Sequence, residues 1–82
     1  MYYKVYGNIN GWKEIDRATE EIDIIDTIGY YIGNNSGYEY IIIRCEENQD
    51  FPYRTINSRL DYIKYLQEVT DREKLKKKSY IK

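Results

Sequence analysis

The residues of this chain best placed to do chemistry are carboxylates. Glu14, Asp16, Glu20, Glu21, Asp23 and Asp26 crowd into KEIDRATEEIDIID, where only Lys13 and Arg17 oppose them. Side chains this close could hold a divalent cation, but their spacing matches no Ca²⁺ loop, and Mg²⁺ sites lean on a phosphate-bearing substrate. No metal and no cofactor is expected. The chain has no His and a single cysteine, Cys45. That removes the usual Zn ligand sets, an internal disulfide, and the Ser-His-Asp and Cys-His nucleophile arrangements. Cys45, alone in an Ile-rich stretch, reads as a small buried apolar residue. No catalytic residue is assigned, and a non-enzymatic role is expected.

Aromatic rings are the second resource, with 11 Tyr and one Trp among 82 residues. Tyr2, Tyr6, Trp12, Tyr38 and Tyr40 fall in β-rich stretches and are expected on one uncovered sheet face, where such rings can stack bases or form the centre of a protein interface. With Glu14, Asp16, Glu20 and Glu21 they make up the expected partner-binding surface, acidic and Tyr-rich. The third resource is basic. Residues 1–70 carry 7 basic and 12 acidic side chains, a net of −5, whereas residues 71–82 carry 6 and 2, a net of +4. Arg72, Lys74, Lys76, Lys77 and Lys78 could therefore clamp phosphates. A single domain over 1–70 with a basic helix end or tail over 71–82 is the expected division.

The elements that must position these residues are legible from period and turn chemistry. YYKVYGNINGWKEIDRA reads as a hairpin around Asn10-Gly11. A three-residue loop, Ile9 to Gly11, pairs Val5 with Ile15 and Lys4 with Asp16. It points Tyr3, Val5 and Ile15 inward and leaves Tyr2, Lys4, Tyr6, Trp12, Glu14 and Asp16 on the other face. Ile22, Ile25, Ile28 and Ile32 recur at helical spacing, so TEEIDIIDTIGYYIG reads as a helix with Thr19 as N-cap, ending in Gly33-Asn34-Asn35-Ser36-Gly37. A strand reading of residues 28–33 fits fewer positions, and Gly29, which costs about 1 kcal/mol in a helix interior, is its main support.

YEYIIIRCE reads as a strand with no preference for its buried face. FPYRTI is a weaker fourth strand that Pro52 confines to an edge or bulge. Asn57 or Ser58 caps a last helix whose stripe is Leu60, Ile63, Leu66 and Val69, flanked by Tyr62 and Tyr65. No internal repeat is visible. The expected class is α+β, with a small antiparallel sheet of 3–4 strands, two helices on one face, and order β-β-α-β-(β)-α.

Gly29-Tyr30-Tyr31 and Tyr40-Ile41-Ile42 superficially resemble the two half-motifs of the GIY-YIG endonuclease family. Ile42 stands where that family has its closing Gly, the two segments are too close, and Arg54, Arg59 and Glu68 reach the family's helical Arg and metal-binding Glu only by stretching its pattern. No membership is assigned.

No apolar run approaches the roughly 18 residues of a membrane span, and MYYKVYGN has neither part of a signal peptide, so a cytoplasmic location in a bacterial host cell is expected. Ile, Tyr, Lys and Asn supply 38 of the 82 residues, a bias associated with AT-rich genomes, their phages and mobile elements. Small size, segregated charge and surplus aromatics together suggest an inhibitor, anti-CRISPR-like, that occludes a basic nucleic-acid-handling defence protein. The alternative is a nucleic-acid-binding module using the sheet rings and the basic tail. A sheet edge could also pair two chains into a homodimer.

Overall fold

The computed structural model describes the backbone of residues 1–80 and the side chains of residues 1–75. Six elements follow one another: β1 (Tyr2–Asn8), β2 (Trp12–Ala18), α1 (Glu21–Gly33), β3 (Tyr40–Cys45), β4 (Asp50–Ile56) and α2 (Arg59–Tyr80). The strands form one antiparallel sheet in the order β2-β1-β3-β4. Both helices cover the same face. Tyr3, Val5, Tyr40, Ile42 and Ile56 from the strands and Ile24, Ile25, Ile28, Tyr65 and Val69 from the helices form the buried core. The architecture is thus the expected α+β class with the fourth strand formed.

The first hairpin begins in the expected register. Asn8 faces Trp12 and Tyr6 faces Glu14 across an Ile9-Asn10-Gly11 loop. Asn10 and Gly11 take φ of 59° and 109°, the left-handed region that Asn and Gly tolerate best. Beyond Tyr6 the register departs from the expectation. Val5 faces Asp16 and Lys4 faces Arg17, so Ile15 is an extra residue, a β-bulge. The bulge breaks strand alternation, and Ile15 and Asp16 both face the helices. Ile15 packs on the core, and Asp16 accepts a hydrogen bond from the Thr27 hydroxyl of α1.

The other edge strand repeats the device. Ile42 faces Arg54 but Ile43 faces Pro52, which makes Tyr53 the extra residue. Tyr53 and Arg54 accordingly both reach the helix side. The Tyr53 ring lies 5.4 Å from that of Tyr3, and the Arg54 guanidinium lies 4.7 Å above Tyr65 and pairs with Glu68 at 2.5 Å. The chain is therefore two ββα units arranged alike around the central Val5–Ile42 pair.

Helix α1 runs through Gly29 to Gly33, so the helical reading of residues 28–33 holds. Its N-cap is Glu20, not Thr19. Asn35, at φ 60°, closes it, with the Ser36 N–H donating back to the Tyr31 carbonyl at 3.0 Å. In α2 a reciprocal cap forms. Ser58 Oγ accepts from the Asp61 N–H at 3.2 Å, and Asp61 Oδ2 accepts from the Asn57 N–H at 3.1 Å. The buried stripe of α2 is rotated from the expected one. Tyr65 and Val69 are buried and Tyr62 and Leu66 half-buried, whereas Leu60 and Ile63 face solvent. The Tyr65 ring brings its hydroxyl to Glu21 at 2.6 Å and the Tyr62 hydroxyl sits against Gly29 of α1, contacts that Leu60 and Ile63 could not make. Helix α2 continues unbroken across position 70 to Tyr80.

Candidate functional site

The uncovered sheet face is built from alternate residues of the two central strands. Tyr2, Lys4 and Tyr6 of β1 point away from the helices because Tyr3, Val5 and Gly7 point toward them. Register then places Ile41 opposite Tyr6, Ile43 opposite Lys4 and Cys45 opposite Tyr2. Tyr6, Ile41 and Ile43 join Trp12 around a shallow apolar hollow of about 270 Å³. Trp12 stands 49% exposed beside it. A large apolar ring left this open on a sheet face is the kind of group that anchors macromolecular interfaces.

Charge on this face is balanced, not acidic. Glu14 and Arg17, brought to one side by the bulge between them, form an ion pair in which Arg17 Nη2 donates at 3.2 Å. The Arg17 hydrogen bond, opposed by slight desolvation and helped by the Arg17 and Lys4 charges, holds the Glu14 carboxyl below its ordinary range. The acid lies at one end instead. Glu46 and Glu47 of the β3–β4 turn and Asp50, the first residue of β4, line a second hollow with Tyr2 and Cys45. Glu46 pairs with Arg44 at 2.5 Å, while Glu47 and Asp50 make no ion pair among the described residues.

Several sequence-based assignments are corrected by this geometry. Tyr40 is fully buried on the helix side, facing Gly7, and its hydroxyl donates to the Gly37 carbonyl at 3.0 Å; burial pushes its phenol pKa up. Asp16 is turned under the helices by the bulge. Tyr38 is exposed but precedes β3 and is no part of the sheet face. Glu20 is exposed at the α1 N-cap, on the helix side. Of the expected surface, Tyr2, Tyr6, Trp12 and Glu14 come together. Ile41 and Ile43 were missed because strand alternation alone gave β3 no preferred face, and Glu47 and Asp50 because only the β3–β4 pairing brings them to the end of that face. Gly29, Tyr30 and Tyr31 lie within α1, so the hairpin that a GIY-YIG arrangement requires does not exist here.

Glu21 is the largest correction. It sits in the first turn of α1 with its side chain only 12% exposed. Oε1 accepts from the Tyr3 hydroxyl at 3.4 Å, the Tyr53 hydroxyl at 3.1 Å and Arg72 Nη1 at 2.6 Å. Oε2 accepts from the Tyr65 hydroxyl at 2.6 Å and Arg72 Nη2 at 3.3 Å. Burial alone would raise this carboxyl's pKa; the Tyr65 and Arg72 hydrogen bonds outweigh it and hold the pKa below the ordinary range. Burial, and then Glu21 itself, push the Tyr65 phenol well above its usual range. The arrangement is a carboxylate acceptor held by three hydroxyls and a guanidinium. The cluster ties β1, β4, α1 and α2 together.

The same bond pairs Arg72, one of the five residues of the expected phosphate clamp, with Glu21. Lys74 is exposed, and the side chains of Lys76, Lys77 and Lys78 lie outside the described ones. Among the described residues no group of three or more His, Cys, Asp or Glu is arranged to hold a metal ion, and no helix is long and apolar enough to cross a membrane. No protein-family model matches this chain, and neither the curated proteins nor the solved structures include a significant match to it.

Proposed function

We propose that this is a small non-enzymatic binding protein that occludes a partner protein with the uncovered face of its sheet. The observation that carries this reading is the open apolar hollow of Tyr6, Ile41 and Ile43 beside the half-exposed Trp12. Such a face, held by two central strands that are paired on both sides, is rigid before it binds, which lowers the entropic cost of association. Placement in the cytoplasm of a bacterial cell, as a phage or mobile-element inhibitor of a nucleic-acid-handling defence protein, follows the compositional bias and the acidic turn at the end of that face. Direct nucleic-acid binding is the weaker reading, because Arg17 is paired with Glu14 and Arg72 with Glu21.

The test uses immobilised wild-type protein and its Trp12→Ala variant against lysate of a low-GC bacterium. Wild type should retain a nucleic-acid-handling protein that the variant does not, and adding wild type should inhibit the activity of that protein. Recovery of nothing that depends on Trp12, or a recovered protein whose activity is untouched, would refute the proposal. A single-stranded oligonucleotide retained by the wild type and released steeply by salt would promote the weaker reading.

A further inference from the structure

Resting on the occlusion reading, we infer that the partner segment which covers the open sheet face is a basic amphipathic helix. The edges of the sheet argue against an added strand. β2 carries a bulge at Ile15, and β4 carries one at Tyr53 next to Pro52, which has no N–H to offer a ladder. An incoming strand would find no continuous run of backbone partners on either side. A helix needs none, because its own backbone bonds are satisfied, and it docks through side chains alone.

The dimensions fit one helix. Four strands about 4.8 Å apart span roughly 15–19 Å, and seven residues of β1 run about 23 Å. A single helix about 10 Å across and about 15 residues long would lie over β1 and β3 and complete a third layer. The chemistry along that line is graded. At one end lies the hollow of Tyr6, Trp12, Ile41 and Ile43, which takes apolar side chains. At the other, level with Tyr2 and just beyond it, stand Asp50 and Glu47, which make no ion pair among the described residues. From the Tyr6–Ile41 pair to the Tyr2–Cys45 pair is four residues, about 13 Å; Asp50 stands level with that second pair, opposite Cys45, and Glu47 lies in the turn just past it. In the partner that separation is about ten residues of helix, or nearly three turns, between an apolar anchor and one or two Arg or Lys. A nucleic-acid strand would meet the same two carboxylates with its phosphates.

Trp12 is the chain's one tryptophan and sits in the site, so its emission reports occupancy directly. The probe is a peptide of about 18 residues with Leu at helical i, i+3, i+4, i+7 spacing and Arg three turns from the central Leu, compared with the same peptide carrying Glu for Arg. The Arg peptide should give a saturable blue shift. The double variant Glu47→Lys/Asp50→Lys, at two exposed positions, should weaken it at least about tenfold while leaving the circular dichroism spectrum unchanged. Equal binding of the Glu peptide, or an unaltered affinity in the double variant, would overturn the inference. So would an oligonucleotide that shifts Trp12, or sedimentation showing that a second copy of the chain already covers the face. If neither peptide binds while Trp12-dependent capture of a partner persists, the helix inference fails and the occlusion reading stands. If the Arg peptide binds but Trp12-dependent capture is absent, the reverse holds.

Discussion

Replacing Glu21 by Gln keeps the shape of the side chain while removing its charge and turning one acceptor oxygen into an N–H donor, which tests what the ionised acceptor contributes. In the wild type five donors converge on two oxygens, including Tyr65 at 2.6 Å and Arg72 at 2.6 Å. Hydrogen bonds to a charged group contribute about 1.5–3 kcal/mol each, and stripping one charge from a buried pair costs about 3–5 kcal/mol. Arg72 is 46% exposed and can turn to water, so the full buried-pair cost does not apply. Tyr65 is fully buried and cannot turn away, and the amide oxygen can serve only some of the five donors. A loss of about 2–3 kcal/mol is therefore expected. For a domain of this size it lowers the melting temperature by about 10–20 °C, or the urea midpoint by roughly 2 M with m unchanged. The loss depends on pH. Because the folded carboxyl's pKa is depressed, its stabilisation is complete above the ordinary carboxylate value near 4.3 and disappears as pH falls through the folded value below it. Urea unfolding followed by far-UV circular dichroism at pH 7 and at several values down to pH 3 measures both quantities. A variant within about 0.5 kcal/mol of wild type at pH 7, or a gap that persists undiminished at pH 3, would refute the account of Glu21 as the ionised keystone.

Gly29→Ala should be close to neutral, because the gain of about 1 kcal/mol in helix propensity is offset by a Cβ placed 2.6 Å from the Tyr62 hydroxyl; adding Tyr62→Phe should recover most of the gain, as read by urea midpoint. Gly7→Ala should destabilise by about 1–3 kcal/mol, since its Cβ would stand 3.1 Å from two atoms of the fully buried Tyr40 ring, and an unchanged melting temperature would contradict that packing. At the alkaline end, Tyr65, Tyr3, Tyr40 and Tyr62 all have phenol pKa values raised chiefly by burial, so their contribution is complete below about pH 10 and is lost above it. Unfolding midpoints should therefore fall steeply above that pH, with phenolate absorbance appearing together with the loss of helix signal and not ahead of it.

The fold was legible wherever one local signal sufficed. Asn10-Gly11 marked the first hairpin, the isoleucine spacing marked α1, and Asn57 or Ser58 marked the start of α2. The face assignments were less legible, for two physical reasons. A bulge is a one-residue offset that no period-two pattern announces. Ile15 and Tyr53 therefore carried Asp16, and with it Arg54, to the helix side without disturbing the composition of either strand. Tyrosine is equally serviceable on both faces, so Tyr40 and Tyr6 could not be told apart by type. What separates them is the cross-strand neighbour, since Tyr40 lies opposite Gly7, the one β1 position with room for a ring. Glu21 was unreadable for a different reason. Its donors come from positions 3, 53, 65 and 72, up to 51 residues away, and in sequence it is indistinguishable from any acidic residue favoured in a first helical turn.

The division of the rings between the two sheet faces bears directly on the function proposed. On the helix side the hydroxyls of Tyr3, Tyr53 and Tyr65 meet at one carboxylate, Tyr40 finds the Gly37 carbonyl, and no buried side-chain polar atom among the described residues lacks a partner. That half of the molecule is complete, so the open face need not reorganise for the domain to be stable. Trp12, half exposed on an edge strand, is not needed by the core, and neither are the apolar edges of Ile41 and Ile43 left uncovered beside it. A domain this small has little apolar surface to spare, and leaving a tryptophan and two isoleucines partly in water forgoes stabilisation of about 25 cal/mol for each Å² left unburied. Because the interior does not call for them, the partner proposed above is what would bury them, and that is why the proposal rests on the open face and not on the better-formed cluster around Glu21.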